Sequence, residues 1–266
     1  MKKIELDELK KIQIDILNSI DDFCTKNNIN YWIDCGTLLG AIRHKGYIPW
    51  DDDIDIGMLR EDYEKFAKSF NSSNERYKFH CYELDNNWFY TYGKVTDEQT
   101  LLYEPDKKSG IESAIFVDVF VYDNAPENEK ELQKMFRKRD IYRKLSNLQI
   151  YKNFYVKKKT KYNFIRYPLH LLMQLFPKRY FIKKGIEVSK KYSDITTIKV
   201  GNFTSSSKMT CDKKVFDSFI DVEFEGRKYK APVGYDQWLR SFYGDYMKLP
   251  PEEKRVSHHR FEAYYK

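Results

Sequence analysis

The chain has 266 residues, of which 41% are hydrophobic, 33% charged and 17% aromatic, with a net charge of +7. This composition is typical of a globular protein with a sizeable core, and it excludes an intrinsically disordered chain. The longest apolar run, residues 167–177, is far shorter than the ~20 residues of a membrane-spanning helix.

We expect no signal peptide at the N-terminus, because acidic residues interrupt its first apolar stretch. The four cysteines show neither C-x-x-C spacing nor a disulfide framework. We therefore expect reduced thiols and a cytoplasmic location.

The positive charge is concentrated in one segment. Residues 134–191 contain 18 Lys and Arg against two acids, so this segment carries +16 and the rest of the chain −9. Such a segment indicates either an anionic partner surface, such as lipid or nucleic acid, or a solvated helix face. Within it, residues 164–185 have an apolar centre and basic flanks, which is typical of an interfacial membrane helix or of a buried helix hairpin.

The predicted elements of the first third alternate between helix and strand. Apolar residues at helical spacing predict a helix over residues 4–27, followed by a short strand at 31–34 and a helix at 37–44. Alternating polarity then predicts a strand at 53–58, and a helix follows over 60–70.

The middle of the chain is rich in strand signals and then becomes helical. Four strands are predicted, at residues 76–84, 88–97, 99–104 and 114–123, and helices at 127–192. A hairpin around residues 225–226 and a helix at 235–243 complete the order. This order predicts an α+β fold with a mixed sheet flanked by helices.

Three parts follow from this order. They are a catalytic core at 1–126, a basic helical segment at 127–200, and a C-terminal part at 201–266 that completes the same domain. The sequence has no Gly-rich loop of the dinucleotide-binding or P-loop type.

Four aspartates occupy five positions in the segment IPWDDDIDIGM, residues 48–58. Because side chains two apart on a strand point the same way, Asp53 and Asp55 share one face, ~6–7 Å apart. Asp51 and Asp52 directly follow Pro49-Trp50 and are predicted to fix a turn.

A third carboxylate, Asp118, lies in the middle of an apolar strand. A buried carboxylate costs several kcal/mol unless a cation or strong donors meet it. Three strand-borne carboxylates without His or Cys suit Mg²⁺ or Mn²⁺, which complete their shell with phosphate oxygens. The cluster therefore indicates phosphoryl transfer, with Arg43, Lys45 and Lys94 as candidate phosphate-binding residues.

Residues 34–58, DCGTLLGAIRHKGYIPWDDDIDIGM, closely resemble the signature of the LicD family. That family is named for bacterial phosphocholine transferases and includes the eukaryotic fukutin-like proteins. Residues 92–100, 115–123 and 243–259 resemble further blocks of the family. The resemblance covers most of the chain outside the basic helical segment.

The resemblance implies a nucleotidyltransferase-like fold, with a Gly-containing element at a helix start, a D-x-D pair on a strand and a third acid on a neighbouring strand. Gly36-Thr37, the pair Asp53 and Asp55, and Asp118 match these positions. The implied reaction moves a phospho-alcohol from a CDP-alcohol to a sugar hydroxyl and releases CMP. The implied donor is CDP-choline, and the acceptor is a cell-surface glycan or teichoic-acid precursor, which can be lipid-linked; no nucleic-acid partner is expected.

Each candidate residue then has a predicted role. Asp53, Asp55 and Asp118 hold one or two Mg²⁺ ions, and Asp118 also accepts the proton of the acceptor hydroxyl. The predicted substrate-binding residues are Gly36, Thr37, Arg43, Lys45, Trp50 and Lys94. Choline requires aromatic ring faces, and Trp50 is the first candidate among Tyr31, Trp32, Trp50, Trp88, Tyr90 and Tyr92.

Three alternatives stay open. The first is transfer of another phospho-alcohol, such as phosphoribitol or phosphoglycerol, or of a sugar phosphate. The second is nucleotidyl transfer from a nucleoside triphosphate, and the third a binding protein with a decayed site, against which the complete aspartate set argues. The pair His258-His259 is predicted to be exposed and inert, and a contact between His44 and phosphate is left open.

Overall fold

The computed structural model describes residues 1–103, 113–150, 163–256 and 262–266. The α-helices in these ranges are α1 (Leu6–Asn27), α2 (Cys35–His44), α3 (Arg60–Ser73), α4 (Glu129–Ile150), α5 (Asn163–Met173), α6 (Tyr180–Ser189) and α7 (Tyr235–Tyr243). The strands are β1 (Lys3–Ile4), β2 (Trp32–Ile33), β3 (Asp55–Leu59), β4 (Tyr77–His80), β5 (Gly93–Asp97), β6 (Thr100–Tyr103), β7 (Phe116–Ala125), β8 (Lys199–Asn202), β9 (Met209–Asp212), β10 (Phe219–Phe224), β11 (Arg227–Pro232) and β12 (Glu262–Tyr265).

The main sheet is built around β7. The strand order is β2-β3-β7-β5-β4, and β8, itself paired with β9, also pairs with the C-terminal half of β7. Strands β3 and β7 are parallel, whereas the other pairs in this sheet are antiparallel. The α+β fold with a mixed sheet and flanking helices is therefore confirmed.

The long apolar strand β7 is central because its side chains are buried along nearly its whole length. Helix α1 buries its apolar stripe on the sheet, including Ile12, Ile16 and Ile20, which are at most 4% exposed. Such burial is the main stabilising term of a fold of this size. The rigid core thus lies directly beneath the strand that carries Asp118.

Two predicted strands are shorter than expected. The strand predicted over 76–84 ends at His80, because the chain then turns and the amides of Leu84 and Asp85 both donate to the Cys81 carbonyl. The strand predicted over 88–97 begins only at Gly93. Ahead of it, the indole of Trp88 donates to the carbonyl of Tyr92 across a loop. The aromatic residues at 88–92 therefore predict a strand in a segment that is a loop.

The hairpin and the final helix are where the sequence predicts them. Glu225 and Gly226 join β10 and β11 with φ angles of 49° and 78°, which is the left-handed conformation of a tight hairpin turn. The residues of β12 lie between β1 and β6 in a second, three-stranded sheet. The C-terminal end of the chain is therefore joined to its N-terminal end.

The basic segment is helical where it is described. Helix α4 packs on α6, and Leu148 of α4, Met173 of α5 and Phe181 of α6 form a small apolar cluster. Within the described ranges, the helices lack either the length or the apolar character that crossing a membrane requires.

Candidate active site

A cavity of about 970 Å³ opens beside the main sheet. Its walls come from the start of α2, the segment 48–55, strand β7, helices α4 and α6, and the segment 242–250. Asp51, Asp53, Asp55 and Asp118 all line it. The structure thus brings the three predicted metal ligands to one cavity, together with a fourth aspartate.

Strand register places two of these carboxylates side by side. Asp55 of β3 is the register partner of Asp118 of β7, and the amide of Asp118 donates to the carbonyl of Ile54 at 2.9 Å. Asp53 precedes β3 and lies in an irregular segment, not on the strand as predicted. Asp53 nevertheless lines the same cavity.

Lys94 extends this row across a third strand. It is the register partner of Asp118 on β5, and its Nζ donates to Asp118 Oδ1 at 2.5 Å. Lys94 is only 4% exposed, and its ammonium lies 3.1 Å from the ring centroid of Phe116. The cation that a buried Asp118 requires is therefore supplied by the adjacent strand.

Thr37 supports the carboxylates from α2. Its hydroxyl accepts a hydrogen bond from the amide of Asp55 at 2.9 Å, which joins the first turn of α2 to the start of β3. Its role in phosphate binding stays a prediction. The contact that the structure shows fixes the backbone of Asp55.

Asp34 also stabilises the junction between the first turn of α2 and the start of β3, from within the core. It is fully buried and accepts hydrogen bonds from the Tyr122 hydroxyl at 2.5 Å and from the Trp238 indole at 2.9 Å. Its amide donates to the carbonyl of Asp55. Burial raises the pKa of Asp34, while these hydrogen bonds act in the opposite direction. Asp34 thus connects α2, β7 and α7 directly behind the site.

Gly36 is placed against Asp51. A Cβ atom at Gly36 would lie 2.4 Å from Asp51 Oδ2, so a larger residue there would displace this carboxylate. Oxygen atoms of Asp51, Asp52 and Asp53 come within 4.8 Å of one another. Asp51 therefore belongs to the carboxylate wall as well as to the turn, where its amide donates to Ile48.

The electrostatics of the wall fit a divalent cation. Burial, followed by the negative charges of Asp53 and Asp118, raises the pKa of Asp55 well above its ordinary value. Burial raises the pKa of the neighbouring Cys35 thiol in the same way, which keeps it protonated. Among the described residues that line the cavity, these crowded carboxylate oxygens have no His or thiolate ligand beside them, and such an oxygen set is the one that Mg²⁺ or Mn²⁺ prefers.

The other end of the cavity is held by backbone contacts. Arg139 of α4 is 2% exposed, and its Nη1 donates to the carbonyls of Ser205 at 2.5 Å and Ser207 at 2.8 Å. Thr91 donates to the carbonyl of Thr204. These bonds fix the 204–207 loop as one wall of the cavity.

Three of the six aromatic candidates line the cavity, namely Trp50, Tyr90 and Tyr92. The ammonium of Lys94 lies 5.4 Å and 5.6 Å from the ring centroids of Tyr90 and Tyr92. By contrast, Tyr31 and Trp32 are buried core residues at 2% and 0% exposure, so their prediction as ligand-facing residues is wrong.

The predicted basic residues divide into two groups. Arg43 lines the cavity, and its Nη1 donates to the Tyr246 carbonyl at 2.6 Å. Lys45 is exposed and ends α2 in the left-handed conformation, and it is not among the described residues that line the cavity. The structure therefore does not place Lys45 with the site. His258 and His259 lie outside the described residues.

Several cavity residues were not identified from the sequence. The sequence predicts Asp51 only in a turn, and it indicates no cavity residue in the C-terminal segment. That segment supplies Phe242, Tyr243, Asp245, Tyr246 and Lys248 to the cavity. The signal that could have found them is the family-like block at 243–259.

Comparison with known proteins agrees with the signature. The family model described as "LicD/FKTN/FKRP, nucleotidyltransferase domain" matches residues 28–142. The chain is 35% identical to the lipopolysaccharide cholinephosphotransferase LicD of Haemophilus influenzae, over 99% of both chains. It is 53% identical over 34 residues to the human ribitol 5-phosphate transferase FKRP, which is 13% of this chain and 7% of that protein. An uncharacterized protein of Rickettsia typhi is 30% identical over 58% of this chain and 46% of its own.

Proposed function

Because the chain belongs to the LicD family, we propose that this phosphotransferase moves phosphocholine from CDP-choline to a hydroxyl of a cell-surface glycan. The observation that carries the choice of cargo is the identity of 35%, over the full length, to a lipopolysaccharide cholinephosphotransferase. The aspartate wall of the cavity is consistent with a reaction between a diphosphate and a hydroxyl group. Phospho-alcohol transfer is the broader statement, and choline is the specific proposal.

The reaction is a phosphoryl-type displacement. The oxygen of the acceptor hydroxyl forms a bond to the phosphorus that carries choline, and its proton passes to a base, for which Asp118 is the predicted candidate. The bond from that phosphorus to the bridging oxygen breaks, and CMP leaves. A bound Mg²⁺ supplies charge neutralisation on the diphosphate oxygens. We assign its binding to Asp53, Asp55 and Asp118, with Asp51 as an additional oxygen donor.

The protein's own residues orient these groups. Thr37 and Asp34 hold the backbone of Asp55, and Lys94 holds Asp118. Arg43 and Gly36 line the same cavity as the carboxylates, where a diphosphate requires donors. Because Asp118 Oδ1 is engaged by an ammonium group, we expect Asp118 to act mainly as a fixed anion. Its acceptance of the hydroxyl proton stays a prediction.

The aromatic wall offers a place for the choline cation. A trimethylammonium group gains ~2 kcal/mol or more from desolvated aromatic faces. Trp50 lines the cavity next to the aspartates, and we propose it as the principal contact. Tyr90 and Tyr92 are further candidates, because they line the same cavity.

The proposal is tested with a panel of CDP-alcohols. The protein is incubated with Mg²⁺ and CDP-choline, CDP-ribitol or CDP-glycerol, and CMP release is measured with and without a glycan acceptor. We expect the fastest release from CDP-choline, and faster release with acceptor present. Preference for CDP-ribitol would favour the activity named for FKRP. Turnover of nucleoside triphosphates alone, with pyrophosphate release, would overturn the proposal.

The site is tested with Asp53→Asn. We expect CMP release to fall at least about a thousandfold, because one metal ligand is lost. Without metal, thermal stability should be unchanged or higher, because repulsion between the carboxylates is reduced. Asp217→Asn is the matched control, because this aspartate lies outside the residues that line the cavity. An Asp53→Asn variant that kept most of its activity would remove Asp53 from the site.

A further inference from the structure

Helix α5 and the turn after it expose a continuous apolar face. Phe164, Ile165, Leu171, Leu172 and Leu175 are 75%, 52%, 51%, 50% and 79% exposed. Their spacings of one, six, one and three residues place them on one side of a helix. An apolar patch of this kind on a globular protein marks an interaction surface.

The opposite side of α5 holds the helix in place. His170 Nδ1 lies 2.6 Å from the carbonyl of Leu148, and Gln149 Nε2 donates to the carbonyl of Met173 at 3.2 Å. The side chains of Met173 and Phe181 are each 5% exposed and pack with Leu148. Within the described part of the chain, the exposed side chains of the outer face are not among the residues that make these contacts, so this packing does not require their apolar character.

The surroundings of this face are strongly basic. Even without residues 151–162, the segment 134–191 contains 13 Lys and Arg against two acids. A second copy of the chain seated on this face would bring two such segments together, and like charges oppose that contact. An apolar face within a basic segment is instead complementary to an anionic lipid surface, where the acyl boundary meets negative headgroups.

We propose that the outer face of α5 docks the protein on an anionic membrane surface. The bilayer would accept the side chains of Phe164, Leu172 and Leu175, while Lys and Arg of the neighbouring helices meet the headgroups. The same helical layer forms a wall of the cavity through Tyr142 of α4 and Phe181 of α6. Delivery of a lipid-carried acceptor to this cavity rests on the proposed function, whereas docking itself does not.

The test is sedimentation of the full-length chain with two kinds of vesicles, phosphatidylcholine alone or mixed equally with phosphatidylglycerol. We expect binding to the mixed vesicles, weaker binding at high salt, and little binding to phosphatidylcholine alone. The double variant Leu172→Glu/Leu175→Glu should bind the mixed vesicles at least about tenfold less, because it places two charges at the acyl boundary. Both side chains are exposed, so the fold should be kept, and circular dichroism checks this.

The matched control is Ile195→Glu/Ile198→Glu, which adds the same charge at residues that are 52% and 62% exposed outside α5. The control should bind the mixed vesicles less than about twofold more weakly than wild type, as expected from the added charge alone.

Equal binding by wild type and the α5 variant, or no binding by wild type, would overturn the proposal. A concentration-dependent dimer that the α5 variant abolishes, without vesicle binding, would assign the face to a second copy. CMP release from CDP-choline in solution should be unchanged in the α5 variant, so failure of docking and failure of the proposed reaction are distinguishable.

Discussion

Lys94 and Asp118 form a buried ion pair between neighbouring strands. Lys94 is 4% and Asp118 is 8% exposed, and the ammonium also lies against the ring of Phe116. Removing one member of such a pair takes a close opposite charge away from the other, which typically costs about 3–5 kcal/mol. The structure therefore assigns Lys94 a structural role in addition to any contact with phosphate.

We predict that Lys94→Met lowers the free energy of unfolding by about 3–5 kcal/mol, measured by urea denaturation without metal. The double variant Lys94→Met/Asp118→Asn should recover part of this loss, because no lone charge stays behind. Equal stability of Lys94→Met and wild type would show that water or another group compensates Asp118.

A second pair of residues makes stability depend on pH. His80 Nε2 lies 3.2 Å from Glu98 Oε1. The hydrogen bond with Glu98 raises the pKa of His80 above 6.5, and the same bond lowers the pKa of Glu98 from 4.5 to about 2. The contribution of His80 is lost as pH rises through its raised folded pKa, and that of Glu98 as pH falls toward 2. The pair therefore stabilises the fold most between pH 4.5 and 6.5.

We predict that His80→Asn loses more stability at about pH 5.5 than at about pH 8.5. The difference should stay below about 1 kcal/mol, because both side chains are partly exposed and solvent screens the pair. Urea denaturation at the two pH values measures it, and Glu98→Gln should show the same pattern. A loss that is equal at both pH values would show that packing of the imidazole, and not its charge, is responsible.

At the scale of elements, the contact between β2 and β3 requires a glycine. A Cβ atom at Gly57 would lie 2.5 Å from the Trp32 ring, which is fully buried and stacks on Phe216 at 4.2 Å. Gly57 lies two residues after Asp55 on the same strand. Displacing Trp32 therefore disturbs the strand that carries a predicted metal ligand.

We predict that Gly57→Ala destabilises the fold by about 1–3 kcal/mol through overpacking. Gly185→Ala is the matched control, because its Cβ would lie 3.3 Å from a methyl group of Thr91 and alanine favours the helix. Thermal unfolding of both variants gives the comparison. Equal midpoints for Gly57→Ala and wild type would mean that Trp32 can move without cost.

The sequence predicts an element well where the apolar positions of the segment are also the positions that the structure buries. Strand β7 is mostly apolar and is buried along nearly its whole length, so its position around Asp118 follows directly. Residues 88–92 are also rich in aromatic residues that favour strands, but a local hydrogen bond from Trp88 competes with strand pairing. The pattern of residue types along the chain does not reveal that such a hydrogen bond replaces strand pairing.

At the scale of the whole molecule, the site joins residues that are far apart in the sequence. The signature predicts Asp53 and Asp55, and the apolar strand predicts Asp118. The contact between Arg43 and Tyr246, 203 residues later, depends on how α7 packs on Asp34 through Trp238. Such long-range contacts depend on tertiary packing, so spacing along the chain does not reveal the C-terminal wall of the cavity.

Binding of its ligands to the complete site should raise the free energy of unfolding of the whole protein. A ligand at about 100 times its dissociation constant that binds only the folded state adds about 2.7 kcal/mol. For a chain of this size this corresponds to a rise of about 5–10 °C in the unfolding midpoint. We predict this rise with Mg²⁺ and CDP-choline together, measured by differential scanning calorimetry, and its loss when a chelator removes the metal. Asp53→Asn should show no rise under the same conditions, whereas a full rise with CTP and Mg²⁺ in place of CDP-choline would contradict the assigned donor.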